Sequence, residues 1–436
     1  MAEIVPLDEV FLFLTSSCMS SGVSGGKLAA ETCRAGGLGF IAAGHLNSKE
    51  SLQNLEREID IFRTLARDDD PLCIGFIGFS TFSSSSVSTT TNNQNNSRRF
   101  LVDPTNSLEE DDELKVKISG HPRPRLGSDE SVNDIPKEAP GANNGWTLFE
   151  TVMEVYQPNV IQLFAPAISF LAASGSHKSV VQLAHSYGSL VMAQVGTYEE
   201  ALQAMEHGVD AIIAQGAEAG GHGVRMEFGS STLSLTTRLV NHMAIAQTKK
   251  IPILAAGGIV DGKGVAAMLS LGADGVVLGT RLWASTEAKG PDSYKQALVE
   301  AKSSDDRIRT RVFDSISSLY SPIQWPSPFD SSGALRNETT SKLQAKQAEL
   351  DEALKCKNRG GEVSEPISAF MKTYQQAQKE QNPNIAVVYA GGGVGEIDSI
   401  DNAYDIILKI EEEAVEQLQS VPKKVILEDE EPLPPK

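Results

Sequence analysis

A chain of 436 residues, 40% of them hydrophobic, can build two or three domains or one large barrel with additions. Its 38 Lys and Arg stand against 57 Asp and Glu, a formal net charge of -19, which argues against nucleic acid or an anionic membrane as partner. No apolar run reaches the roughly 20 residues of a membrane span. Acidic rather than basic residues precede Val10–Leu14, and Cys18, Cys33, Cys73 and Cys356 lie far apart with no C-x-x-C. The expectation is a soluble, cytoplasmic, metal-free protein acting on a small molecule.

Taken in chain order, eight runs read as strands: Val10–Cys18, Leu38–Gly44, Leu72–Ser80, Val160–Pro166, Leu190–Gly196, Ala211–Gly216, Ile251–Ile259 and Gly275–Leu282. Most are continuous apolar stretches, as expected of parallel strands buried on both faces. Helical stretches stand between them: Lys27–Ala35, Glu50–Ala66, Trp146–Tyr156, Ser176–Tyr187, Glu199–His207 and Val265–Leu271. Eight β-then-α units in series predict an α/β fold of the (β/α)8 TIM-barrel type, with an open doubly wound sheet as the alternative, since periodicity does not report closure.

Two segments break the pattern. Residues 83–145 open on a Ser/Thr/Asn tract and continue acidic and Pro-rich, a composition expected to stay largely disordered. Beyond residue 287, Ser341–Lys355, Pro366–Lys379 and Ile400–Leu418 read as helices, and a Gly-rich turn stands at Tyr389–Gly395. The expected division is a barrel over 1–287, a helical cap over 288–420 on the barrel mouth and a disordered acidic tail over 421–436.

Small-residue loops end predicted strands six, seven and eight: Gln215–Gly223, Ala255–Asp261 and Leu278–Arg281. Glycines there let backbone N–H groups approach an anion, and a following helix start favours its charge. Gly257, Gly258, Gly279 and Thr280 therefore form a candidate phosphate site, for which tight turns are the alternative. No P-loop or G-x-G-x-x-G motif is present.

Of the seven histidines, His222 alone sits on a Gly-rich loop past a strand, where an imidazole suits proton abstraction. His45, just past strand two, is second. His121, His177, His185, His207 and His242 read as structural or solvated. Gln215 is either a ligand contact or a satisfied core amide, and Glu218 either a base or a group that orients backbone. Cys18 ends strand one as a thiol facing the mouth or as a small buried hydrophobe.

At these loops the sequence resembles the nitronate monooxygenase (2-nitropropane dioxygenase) family of FMN-dependent TIM barrels. Ala214–His222 is similar to the family's A-Q-G-x-E-A-G-G-H, Pro252–Ile259 to P-x-x-A-A-G-G-I, and Ala35–Gly39 to A-G-G-L-G. Leu271–Gly275 and Leu278–Thr280 complete the pattern, with echoes at Trp325-Pro326 and Ala390-Gly391. The resemblance implies FMN held by Met19, Gln215, Gly220, Gly221, Gly257, Gly258, Val277, Leu278, Gly279 and Thr280. It implies His222 as the base that deprotonates a nitroalkane, and oxidation of the nitronate by O2 to a carbonyl compound and nitrite without NAD(P)H. The chain departs from the family at Ser17-Cys18-Met19, where A-P-M is common, and at Gly223, where many members carry Arg. Two other readings share the barrel: an FMN-dependent NAD(P)H reductase of enoyl or quinone substrates, and a non-catalytic flavin barrel that serves as an interaction protein.

Overall fold

The computed structural model describes residues 13–16, 23–78, 145–164, 179–245, 250–321 and 324–421. Met19, Cys18, His121, His177, nearly all of the expected insertion and the tail from residue 422 lie outside the described residues.

The apolar runs form eight parallel strands: β1 (Phe13–Ser16), β2 (Phe40–Gly44), β3 (Cys73–Ile77), β4 (Val160–Phe164), β5 (Leu190–Val195), β6 (Ala211–Gln215), β8 (Ile253–Ala256) and β9 (Gly275–Leu278), with a short β7 (Gly221–Gly223) outside their sheet. The sheet runs β2-β3-β4-β5-β6-β8-β9-β1. That is the curled order of a (β/α)8 barrel with β1 and β2 at its seam. Burial on both faces explains the unbroken hydrophobicity. Phe40, Cys73, Val160, Met192, Ile213, Leu254 and Val277 fill the inside. Their neighbours Ile41, Ile74, Ile161, Val191 and Ile212 pack in the cluster that includes the surrounding helices. Polar amides sit higher in the barrel, where buried Gln162 donates to Gln194 at 2.6 Å.

The barrel helices are α1 (Gly26–Arg34), α2 (Lys49–Leu65), α3 (Gly145–Tyr156), α4 (Val180–Ser186), α5 (Tyr198–Glu206), α6 (Thr232–Ile245) and α7 (Gly262–Ser270). Their starts are set locally. Ser48, Ser179 and Thr197 accept from the third helical N–H of α2, α4 and α5, and Asp261 accepts from Gly264 at the start of α7. Each such cap is worth about 1 kcal/mol.

After β9 come α8 (Thr280–Trp283), α9 (Asp292–Glu300), β10 (Arg307–Thr310), α10 (Val312–Ser318), β11 (Ser331–Leu335), α11 (Glu338–Leu343), α12 (Gln347–Asn358), α13 (Glu365–Lys379) and α14 (Ala403–Ser420). The expected helices are present, and with them an antiparallel sheet β10-β11-β7 that takes in the loop after β6. The Phe313, Ile316, Leu350, Ile367 and Tyr374 side chains give α10, α12 and α13 a small core of their own.

Helix α14 does not lie over the mouth. It packs along α7 and α1, burying Ile406, Ile407, Ile410 and Ala414 in the cluster that holds Leu28, Val265 and Met268. Glu413 accepts from the Gly262 N–H at 3.1 Å and so caps α7. Its amphipathic stripe supplies the flanking layer that follows β9. Among the described residues no helix is long and apolar enough to cross a membrane.

Candidate active site

The three glycine-rich loops meet at the C-terminal end of the sheet, around a cleft of about 860 Å³ counting the part open to solvent. Gln215, Gly220, Gly221, His222, Gly257, Gly258, Val277, Gly279 and Thr280 line it. Leu278 does not: it is fully buried in the core beneath, because alternation along β9 turns it away from Val277. Met19 lies outside the described residues.

The loops are shaped by backbone that only glycine adopts readily. Gly257 and Gly258 have φ of 123° and 74°. A Cβ on Gly257 would stand 2.7 Å from Thr232 Oγ1, and one on Gly220 would stand 2.8 Å from the Ala390 carbonyl carbon. The start of α8, at Gly279, has no side-chain cap. Thr280 Oγ1 accepts from the Gly391 N–H at 2.9 Å, which keeps its own O–H as a donor. Trp283, also in the cleft wall, buries an indole N–H without a partner among the described residues. Uncapped backbone donors and a hydroxyl form a donor set suited to a phosphate group.

His222 sits on β7 with its ring almost wholly buried. Its Nε2 lies 2.6 Å from Asp314 Oδ1, with side-chain exposures of 5% and 11%. Trp325 stacks on the imidazole at 3.8 Å between centroids and 14° between planes, and Tyr389 stands 5.5 Å away. Burial, helped by the Asp314 charge, pushes the Tyr389 phenol far above its ordinary range, so it is a neutral hydroxyl in the cleft wall. Gln215 turns back on the loop and donates to the His222 carbonyl at 2.9 Å. Glu218 accepts from the N–H and the hydroxyl of Thr232, which caps α6, so it orients backbone here.

The loop is held from behind by two cations. Arg309 donates to the carbonyls of Ala217 at 3.0 Å, Ala219 at 2.7 Å and Ser331 at 3.2 Å. Arg307 donates to the same Ala217 and Ala219 carbonyls. Burial, with neighbouring Arg307, lowers the Arg309 guanidinium to about 9. With those carbonyls turned toward the arginines, each peptide's N–H points the opposite way.

His45 reaches the same aromatic cluster, 5.8 Å from Trp325. Burial, and secondarily the charge of His222, lowers it from 6.5 to about 4. A histidine depressed in the folded state takes up its proton only on unfolding between those values, so stability falls as pH drops through that window. Wild type should lose about 2 kcal/mol more stability than His45→Asn between pH 7 and pH 4.5 in urea titrations. Parallel losses in the two proteins would remove this account. The remaining described histidines are engaged elsewhere: His185 with Asp210, His207 with the Gln203 carbonyl and His242 with Tyr198.

Asp314, Trp325, Tyr389, Gln194, Arg307 and Arg309 join the site without being predicted as part of it. They come from distant segments, and only Trp325 carried a motif echo. Among the described residues no group of three or more His, Cys, Asp or Glu is placed to hold a metal.

The sequence pattern of the nitronate monooxygenase family matches residues 130–413. A nitronate monooxygenase of Neurospora crassa is 30% identical over 283 residues, covering 62% of this chain and 68% of that protein. The nitroalkane oxidase of Streptomyces ansochromogenes superposes with a TM-score of 0.61 at 22% identity, over 95% of this chain and 99% of that one. FabK from Thermotoga maritima superposes with a TM-score of 0.60 at 21% identity, over 96% and 97%. At such identities the superpositions show the barrel fold alone. The sequence match spans the His222 loop, the phosphate-type loops and the segment that carries Asp314, and on it the chain belongs to the nitronate monooxygenase family of flavin-dependent oxidoreductases.

Proposed function

We propose that the protein binds FMN in the cleft and oxidises alkyl nitronates, and nitroalkanes after deprotonation, with O2 to a carbonyl compound and nitrite. The observation that carries this reading is His222, a base candidate that lines the same cleft as Gly279 and Thr280. Gly220, Gly221, Gly257, Gly258 and Val277 would line the cofactor, and Gly279 and Thr280 would hold its phosphate. FMN, when bound, supplies the electron-accepting and oxygen-reducing chemistry.

The chain's own residues do the rest. His222 takes the proton from the carbon beside the nitro group, and the C–H electron pair moves onto the nitro oxygens. Tyr389, neutral and in the cleft wall, is placed to donate to those oxygens as their charge grows. Trp325, Phe164 and Phe329 form an apolar rim that narrows water access and suits an alkyl chain.

Purified protein should show flavin bands that bleach when ethyl nitronate is added without oxygen, and that keep their intensity with NADH. Rapid bleaching by NADH alone would move the chain to the reductases. A colourless protein that takes up no FMN would remove the proposal.

A further inference from the structure

One group beside His222 has a chemistry the substrate contacts do not use. Asp314 comes from α10, in the C-terminal segment and 92 residues along the chain from the imidazole it touches. It is held on both oxygens. Oδ1 meets His222 Nε2 at 2.6 Å, and Oδ2 accepts from Ser332 Oγ at 3.3 Å. Ser332 lies directly opposite His222 in the β7–β11 ladder, so the residue that steadies the carboxylate is in register with the imidazole.

From this geometry we infer that Asp314 is the positioning residue for His222, fixing its hydrogen on Nε2 and leaving Nδ1 as the nitrogen that removes the substrate proton. The inference rests on the nitroalkane reading above. A carboxylate accepts and does not donate, so the neutral imidazole beside it carries its hydrogen on Nε2. When Nδ1 gains the substrate proton, the imidazolium forms against a fixed negative charge in a nearly closed site, where the pairing counts for more than in water. The new N–H bond forms on Nδ1 and the C–H pair passes to the nitro group; no other reagent enters the step.

The other groups facing His222 do not duplicate this role. Trp325 covers a ring face and carries no charge, and Tyr389 is a neutral phenol. His45 is held neutral by burial. Arg309 lies within electrostatic reach of Asp314, but its hydrogen bonds go to backbone carbonyls. Glu218 is engaged by Thr232.

Asp314→Asn keeps the shape and removes the charge, and it allows an amide N–H to face Nε2, which selects the opposite tautomer. It should lower the ratio of nitroethane to preformed ethyl nitronate turnover by about 100-fold. The acid limb of the nitroethane kcat/KM profile should move to lower pH, because the imidazolium loses its counter-charge. Asp314→Glu should recover part of both effects, and Ser332→Ala should shift the limb in the same direction by less. A purely structural Asp314 would depress both substrates alike and leave the limb in place, and that result overturns the inference. If Asp314→Asn does not fold, the Ser332→Ala profile decides, and an unmoved limb counts against the assignment. Should His222→Asn itself retain nitroethane turnover, the base reading falls; should it lose turnover while Asp314→Asn keeps the wild-type ratio and limb, only the Asp314 assignment falls.

Discussion

Replacing His222 with Asn should separate neutral nitroethane from its preformed nitronate as substrates. Turnover of neutral nitroethane should drop by about 10³-fold, since among the described residues no other group near the cleft is free to take a carbon-bound proton. Ethyl nitronate, already deprotonated, should keep most of its rate. The candidates for back-up are all committed: His45 is held near 4, Glu218 caps α6, and the Tyr389 phenol is pushed far up. The Asn side chain is smaller than the imidazole it replaces and keeps a polar group beside Asp314 and Trp325. Steady-state rates on both substrates at matched flavin content check this. Equal losses would point to a damaged cleft, and equal retention would show that deprotonation happens elsewhere.

Arg309→Leu should be the most damaging single change away from the cleft. It leaves the buried Ser331 carbonyl without its guanidinium and takes one of two arginine donors from the carbonyls of Ala217 and Ala219. A buried polar group left without its partner costs about 1–3 kcal/mol. Arg307 continues to serve two of the three carbonyls. The expected loss is therefore about 2 kcal/mol, read as a lower Tm and urea midpoint. Flavin should leave more readily as well, because the same peptides shape the cleft wall. Arg309→Lys should recover only part of this, since an ammonium cannot span three carbonyls in a planar fork. A urea midpoint equal to wild type would show that the loop is held by the β7–β11 ladder alone.

Much of this was legible in the residues. The β4 run Val160–Phe164 is apolar at four of five positions because both its faces are buried, and that two-sided burial is what makes a parallel strand readable. The loops after β6, β8 and β9 announced themselves through glycine, and they do meet around one cleft. What stayed hidden has a common cause. Strand β11 is Ser-Ser-Gly-Ala-Leu and β10 is Arg-Ile-Arg-Thr, sequences with no hydrophobic alternation to mark a strand. They are strands because their backbone groups pair with each other and with β7. Asp314 reads as an ordinary first-turn helix acid, and nothing near it in the chain points to residue 222. Helix α14 was visible as an amphipathic stripe, but a stripe states that something is covered and not what covers it.

The pairing of residue 222 with residue 332, and of α14 with α1, also has a consequence during synthesis. As the chain leaves the ribosome, the strands and the glycine loops are complete well before their partners exist. The His222 segment then has no ladder and no carboxylate, and the flanks of α1 and α7 stay bare until α14 arrives at the end. Such late, long-range closure slows folding, because loop entropy must be lost before the contacts form. A nascent chain stalled before residue 403 would therefore present an apolar flank of Leu28, Val265 and Met268 to chaperones. Covering of that flank by α14 marks the moment at which the enzyme is assembled.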